Sequence, residues 1–158
     1  ERYIADNHFN QWIVYRRSFD AYRRLLAGEP RKWKSWTNVL VGATGLGKTR
    51  YVYQQHRDED IYVWGGDRWF DGYCGQPIAL LDDFRGELGI GFLLRLLDRY
   101  PMQVPVKGGF VNWNPRRIYI TSNHLPNFWW DVGVVGRDLD ALNRRIDRLD
   151  SIDENIFE

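Results

Sequence analysis

The segment Gly42-Ala43-Thr44-Gly45-Leu46-Gly47-Lys48-Thr49 constrains this chain more than any other part of it. It matches G-x-x-x-x-G-K-[ST] at every fixed position, which composition alone would yield only about 0.002 times in such a chain. The glycines let the backbone curl until successive N–H groups point at one phosphate. Lys48 then reaches the outer phosphate oxygens as a point charge, and Thr49 offers a hydroxyl to a divalent cation. Residues 38–41 before the loop read as a buried strand, and residues 48–55 after it as a helix.

The alternation continues downstream. Residues 61–64, 78–81 and 118–121 read as further buried strands. A helix is expected over 90–100, with Leu93, Leu94, Leu96 and Leu97, and a closing helix over 138–149, with Leu139, Leu142, Ile146 and Leu149 on one face. Strand and helix in turn predict an α/β fold, a parallel sheet covered by helices on both sides. Upstream, Phe9, Trp12, Ile13, Tyr15, Phe19, Tyr22 and Leu26 recur at spacings of three and four and predict a helix over 7–27. It carries Arg16, Arg17, Arg23 and Arg24, and so many aromatics on one helix need a partner to cover them. Residues 28–35, with Pro30 and two lysines, read as a linker. The expected organisation is a helical segment and linker over 1–35, then one phosphate-binding domain over 36–158.

Composition narrows the class. At 158 residues, 44% hydrophobic and 27% charged, the chain suits one domain with a small appendage and excludes disorder and a fibre. Cys74 is the single cysteine, so a disulfide framework and a Cys-rich zinc site are excluded. His8, His56 and His124 lie too far apart in sequence to form a metal-ligand pattern. No apolar run approaches the roughly 20 residues of a membrane span, and no signal peptide opens the chain. A soluble, intracellular domain with no membrane partner is therefore expected. The chain opens at Glu1 rather than Met, as a piece of a longer protein does. The net charge of +1 hides a polarity: residues 1–50 hold ten Lys and Arg against four acids, residues 51–158 twelve against seventeen. Any polyanion must be gripped at a local site rather than by the whole surface.

Three further patterns carry chemistry. The strand over 78–81 ends in Asp82 and Asp83, and two acids there are costly without a compensating cation. With the phosphate loop upstream they read as a Walker B pair, Asp82 holding Mg²⁺ and Asp83 polarising the attacking water. The strand over 118–121 leads through Ser122 into Asn123, placed to hydrogen-bond the terminal phosphate or the water of an ATP-hydrolysing site. Between them, apolar residues flank Gly108-Gly109 and predict a hairpin over 104–113. Its tip sets Lys107 near Phe110, a cation beside an aromatic, which suits a nucleic-acid phosphate with a base stacked nearby.

Phosphate loop, Asp-Asp strand, Lys-Gly-Gly hairpin and Asn-ending strand, in that order within about 80 residues, resemble the superfamily 3 helicases. More closely, the chain resembles the ATPase domain of the replication initiator (Rep) of circoviruses and other circular single-stranded DNA viruses. The likeness lies in Arg68-Trp69-Phe70-Asp71-Gly72-Tyr73, Ala79-Leu80-Leu81-Asp82-Asp83-Phe84, Leu94-Arg95-Leu96-Leu97-Asp98-Arg99-Tyr100-Pro101, Val106-Lys107-Gly108-Gly109 and Ile120-Thr121-Ser122-Asn123. It covers residues 36–150, and the helix before them resembles part of the family's oligomerisation segment. The resemblance implies an AAA+-like P-loop NTPase fold. It also implies a homo-oligomeric ring, usually a hexamer, with ATP and Mg²⁺ between subunits and hairpins drawing single-stranded DNA through the channel. By the same resemblance Gly42, Ala43, Thr44, Gly45, Leu46, Gly47, Lys48 and Thr49 bind ATP, and Thr49 and Asp82 hold the metal. Lys107, Gly108, Gly109 and Phe110 form the DNA-contacting hairpin tip, and Leu142-Asn143-Arg144-Arg145-Ile146 matches the segment that lends an arginine to the neighbouring site.

On an extended helix Arg144 lies nearly opposite the core stripe and Arg145 on its flank, so either could reach out and Arg144 is the better aimed. The family's nicking motif, two histidines flanking one hydrophobic residue, has no match here, and Ala43-Thr44 stands where a proline-containing pair is frequent. The family's setting implies the host nucleus, although no long Lys/Arg run serves as an import signal. Two rival functions are a P-loop nucleotide kinase, which leaves the doubled acid and the hairpin unexplained, and an oligomeric DNA-binding scaffold that uses ATP only to assemble.

Overall fold

Strand β1 (Trp36–Gly42) is central because its middle residues are apolar on both faces. In the computed structural model, which describes residues 6–11, 13–15, 18, 22 and 28–154, it pairs in parallel with β6 (Arg117–Ser122) on one side and β7 (Arg148–Ile152) on the other. Beyond β6 lie β3 (Ile78–Leu81) and then β2 (Ile61–Val63), giving a five-stranded parallel sheet of order β2-β3-β6-β1-β7. The hairpin β4 (Gln103–Val106) and β5 (Gly109–Asn112) forms a separate antiparallel pair. Helices α1 (Lys48–Gln55), α2 (Ile90–Leu96) and α3 (Val132–Asn143) complete the α/β architecture.

Alternation along the strands divides the core into two layers. Val39, Val41, Ala79, Leu81, Ile118 and Ile120 face one side, where Leu93 and Leu96 of α2, Leu142 of α3 and the hairpin residues Val104 and Val111 cover them. Leu40, Ile78, Leu80 and Tyr119 face the other, packed on Val52 of α1. A sheet buried on both faces explains the nearly continuous apolar runs that marked these strands.

Three expectations need correction. The helix expected over 90–100 ends at Leu96, because Pro101 bars helix before it and the final carbonyls are taken elsewhere. The guanidinium of Arg31, fully buried, donates to the carbonyls of Arg95 (2.5 Å), Leu96 (2.6 Å) and Tyr100 (2.8 Å). Residues 28–35 are thus docked on the domain rather than strung loosely before it. Burial pushes the Arg31 guanidinium down to about 10, although Asp98 and Tyr73 oppose the shift.

The closing helix expected over 138–149 instead lies in Val132–Asn143, which kinks at Gly136 where the backbone leaves helical geometry (φ 17°, ψ −99°), and Leu149 sits on β7, 48% exposed. Asp147 redirects the chain: its amide donates to the Thr37 carbonyl (2.9 Å) and its carboxylate accepts from the Thr37 amide (2.8 Å). An ion pair from Lys34 to Asp147 at 2.5 Å fastens the same corner. The early start of α3 is set by Asp131, whose side chain accepts from the Gly133 amide at 2.9 Å.

Of the described residues in the helix expected over 7–27, positions 7, 9–11, 13–15, 18 and 22 are helical and exposed, and His8 is exposed but not helical. Trp12, Arg16, Arg17, Phe19, Arg23, Arg24 and Leu26 lie outside the described residues.

Candidate functional site

The carboxyl ends of β1, β3 and β6 open onto one cleft of about 390 Å³, lined by the phosphate loop, Asp82, Asp83, Thr121 and Asn123. Ligand sites in parallel sheets form at this end, beside the point where connections diverge. The chain leaves β1 through the loop and α1 toward β2, whereas β6 returns through α3 to β7 on β1's opposite edge. Gly42 allows that edge to close, since a Cβ there would stand 2.4 Å from the Ile152 carbonyl oxygen.

Lys48, 8% exposed, holds its ammonium in the cleft by donating to the carbonyls of Gly42 (2.7 Å) and Ala43 (2.8 Å) and to Asn123 Oδ1 (3.1 Å). Burial pushes it below the ordinary lysine range, and the charges of Asp83 and Asp82 pull it partly back. Thr49 Oγ1 donates to Asp82 Oδ1 at 2.7 Å. A hydroxyl and a carboxylate side by side are a hard-oxygen pair that fits Mg²⁺ completed by phosphate oxygens and water. Among the described residues no cluster of three or more His, Cys, Asp or Glu forms a metal site.

Asp83 follows with φ 52°, a left-handed conformation that Asp tolerates better than most residues. Its amide donates to Thr121 Oγ1 (2.8 Å), while its carboxylate receives Arg85 (2.5 Å) and, at 3.4 Å, Asn123 Nδ2. Asn123 Nδ2 also reaches Thr44 Oγ1 in the phosphate loop at 3.3 Å. Asn123 therefore contacts the loop, the lysine and the second acid together. Behind it, Ser122 Oγ donates to the Phe84 carbonyl (2.7 Å) and accepts from Trp129 Nε1 (2.9 Å), fixing the β3 and β6 exits to each other.

The hairpin forms where expected. Lys107 and Gly108 make its two-residue turn, with Gly108 at φ 93°, a conformation that favours glycine. Phe110 is 62% exposed beside it. Lys107 is engaged, however, on both its amide and its ammonium: Asp71 accepts from the backbone N–H at 2.7 Å and pairs with Nζ at 3.4 Å.

Arg144 and Arg145 part company at the end of α3. Arg144 is exposed and makes no ion pair with a described residue. Arg145 donates to the Ala141 carbonyl (2.9 Å) and to Asp98 Oδ2 (2.6 Å) within its own chain.

Residues 38–124, which contain the loop, both acids, the hairpin and Asn123, match the model of the RNA helicase family. The chain belongs to that family. Its motif order is the superfamily 3 arrangement, and its relatives among known proteins are viral. The replication-associated protein of Goose circovirus is 36% identical over 145 residues, 92% of this chain and 48% of the relative. That of Porcine circovirus 1 is 41% identical over 143 residues, 87% of this chain and 45% of the relative. The helicase-family chain thus spans about half the length of the curated relatives it matches. Among solved structures, an S. cerevisiae Hsp104-ADP complex aligns with 90% of the chain and 26% of its own, at a TM-score of 0.43 and 15% identity. Among the described residues no helix is long and apolar enough to cross a membrane.

Sequence reasoning missed Thr121, Arg85 and Asp71. Thr121 stands within the quoted strand segment, but its role appears only once β3 and β6 are known to pair, with Leu81 opposite Ile120 and hence Asp82 beside Thr121. Nothing local marks Asp71 as the counter-ion of Lys107, 36 residues away.

Proposed function

We propose that this chain is the ATP-hydrolysing helicase module of a viral rolling-circle replication initiator, working as a homo-oligomeric ring on single-stranded DNA in the host nucleus. The observation that carries the reading is Asn123, which joins the phosphate loop through Thr44, the loop lysine through Oδ1 and the second acid through Nδ2. An amide in contact with all three hydrolytic elements suits ATP turnover with a response to the terminal phosphate better than nucleotide storage. The ATP-binding stretch is Gly42–Thr49, and its lysine exchanges two backbone carbonyls for phosphate oxygens on binding. Thr49 and Asp82 would hold Mg²⁺, which supplies charge neutralisation at the bridging phosphate oxygens. Asp83 orients the attacking water and accepts its proton. An arginine from the end of α3, Arg144 or Arg145, completes the site of the next subunit. Lys107, Gly108, Gly109 and Phe110 contact the DNA, the cation at phosphate and the ring at a base. The segment over 1–35 serves assembly.

Steady-state phosphate release with and without single-stranded DNA, paired with strand separation on a forked duplex, tests this. The reading expects DNA-stimulated hydrolysis coupled to unwinding. Nucleotide-dependent assembly with no hydrolysis would instead make the chain a scaffold, and phosphate transfer to a nucleotide acceptor would make it a kinase.

A further inference from the structure

Asp98 lies just past α2, and both its carboxylate oxygens are taken. Oδ1 accepts from the Arg99 amide at 2.8 Å, and Oδ2 accepts from Arg145 at 2.6 Å. The Asp98 and Arg145 side chains are each about three-quarters buried, at 25% and 27% exposure, so this pair is shielded more than a surface ion pair. Arg145's second nitrogen closes on the Ala141 carbonyl at 2.9 Å and caps the last turn of its own helix. The buried Arg31 guanidinium, clamped to the carbonyls of Arg95, Leu96 and Tyr100 around the exit of α2, is near enough for its charge to act on Asp98. Burial works to raise the Asp98 carboxyl, yet hydrogen bonds from Arg145 and the Arg99 amide, with the charges of Arg145 and Arg31, hold it below its ordinary value.

The carboxylate therefore ties two elements to each other: the exit of α2, anchored by the segment that enters the domain, and the exit of α3. Leu142, fully buried, fixes the same turn from within. Arg144 is the neighbour of this fastened turn and is itself exposed. Arg144, the αR cap residue just past α3, is turned about 100° from Arg145, so with Arg145 held on Asp98 the Arg144 side chain leaves in a different direction and is exposed.

We infer that Asp98 is a positioning residue for the subunit-shared site, holding Arg145 as an anchor so that Arg144 is presented to the neighbouring nucleotide. The inference rests on the shared-site reading above and adds a division of labour to it. Arg145 does not leave its own chain, and Asp98 acts only through it. Misplacing a reacting group by about 1 Å can cost roughly 10²-fold in rate without loss of binding. Removing the guanidinium itself costs about 10³–10⁵.

The test uses mixed assemblies of the 158-residue chain, co-expressed from two differently tagged copies and purified through both tags. Asp98→Asn is isosteric and should turn ATP over roughly 10²-fold more slowly, with nucleotide affinity unchanged. Paired with Lys48→Ala, which lacks a working loop but presents an intact helix end, it should regain turnover. Paired with Arg144→Ala it should not, because both partners then lack a presented arginine. A general packing defect would follow neither pattern. Arg145→Gln should behave like Asp98→Asn in the same pairings, while Arg145→Lys, which keeps a cation for Asp98, should lose less. These two variants carry the test if Asp98→Asn does not fold. Turnover by Asp98→Asn at or above the parent rate overturns the inference, since a released Arg145 would then be the active arginine. A slow Asp98→Asn that Lys48→Ala cannot restore, where Arg144→Ala is restored, also overturns it. If Arg144→Ala and Lys48→Ala fail to complement each other, the shared site falls and the positioning role falls with it.

Discussion

Thr121 Oγ1 donates to Oδ1 of Asp82 across 2.7 Å, and the same hydroxyl accepts the Asp83 amide at 2.8 Å. One buried hydroxyl on β6 thus orients the first acid by its side chain and the second by its backbone. Thr49, in the first turn of α1, donates to the same Asp82 oxygen. Thr121→Val keeps the shape but leaves a carboxylate oxygen and a backbone N–H each short of a partner. The expected loss is about 1–3 kcal/mol of stability, together with at least a tenfold drop in ATP turnover. Thr121→Ser should restore most of both. Urea unfolding beside a phosphate-release assay reads the two effects, and an unperturbed Thr121→Val enzyme would mean that the β3–β6 register alone aims the acids.

Lys48 and Asp83, two of the charged residues that line the cleft, should fail in different ways. Lys48→Ala removes the loop's only side-chain cation and should abolish hydrolysis while weakening nucleotide binding. Asp83→Asn should still bind nucleotide, because Thr49 and Asp82 are untouched, yet lose roughly 10²–10⁴-fold in turnover as a general base. Nucleotide titration by fluorescence separates binding from rate. Wild-type turnover by Asp83→Asn would remove it from the water-activating role.

What was legible before the fold was known is what the chain writes locally. The loop at 42–49, the acids ending β3 and Asn123 after β6 each follow an apolar strand within a few residues, so type and spacing suffice. The partners that tune them are remote: Thr121 reaches Asp82 through strand pairing, and Asp98 reaches Arg145 through the packing of α2 on α3. The error over 138–149 has the same origin. Leu139, Leu142, Ile146 and Leu149 repeat as a helix would, but Asp147 gains more by pairing with Thr37 and opening β7 than by continuing the turn. Local periodicity lost to an available sheet edge.

The hairpin lysine has a competitor in its own chain. Lys107→Ala should weaken single-stranded DNA binding and unwinding while basal hydrolysis persists, and should make the salt dependence of binding shallower by about 0.7 per contact removed. Asp71→Asn should act in the opposite direction, because the ammonium no longer has a carboxylate at 3.4 Å to give up. Asp71 also holds the Lys107 amide, so Asn, which keeps an acceptor there, is the right replacement. Salt-titrated binding of a labelled oligonucleotide checks both, and equal affinity in the parent and Asp71→Asn would show that the pair does not compete with DNA.

Arg31 should matter more for stability than any exposed arginine. Its removal takes a charged donor from the carbonyls of Arg95, Leu96 and Tyr100 at the exit of α2, leaving the Asp98 amide on Arg95 and Trp113 Nε1 on Leu96. Arg31→Met fills the space without donors and should cost about 1–3 kcal/mol, whereas Arg57→Met, on an exposed residue, should stay within about 0.5 kcal/mol. Denaturant midpoints at a common slope give the comparison.

His56 should give the fold a stability loss on mild acidification. Its Nε2 lies 2.9 Å from the Tyr119 hydroxyl, behind the sheet and away from the hydrolytic acids. Burial pushes the imidazole below its ordinary value and the Arg117 charge pushes the same way, with Asp60 only partly offsetting them. In the unfolded chain the ring takes its proton near pH 6.5, before the folded protein's does. As pH falls through that value the unfolded state binds more protons, so the free energy of unfolding decreases, and the decrease stops once His56 protonates in the native state as well. His56→Gln keeps a hydrogen-bonding group for Tyr119 but does not titrate. Unfolding free energies measured from pH 7.5 down to 5 should therefore fall more steeply for the parent than for His56→Gln. His8 and His124 are common to both proteins and cancel in the comparison. Parallel pH profiles for the two would show that His56 protonates equally well folded and unfolded.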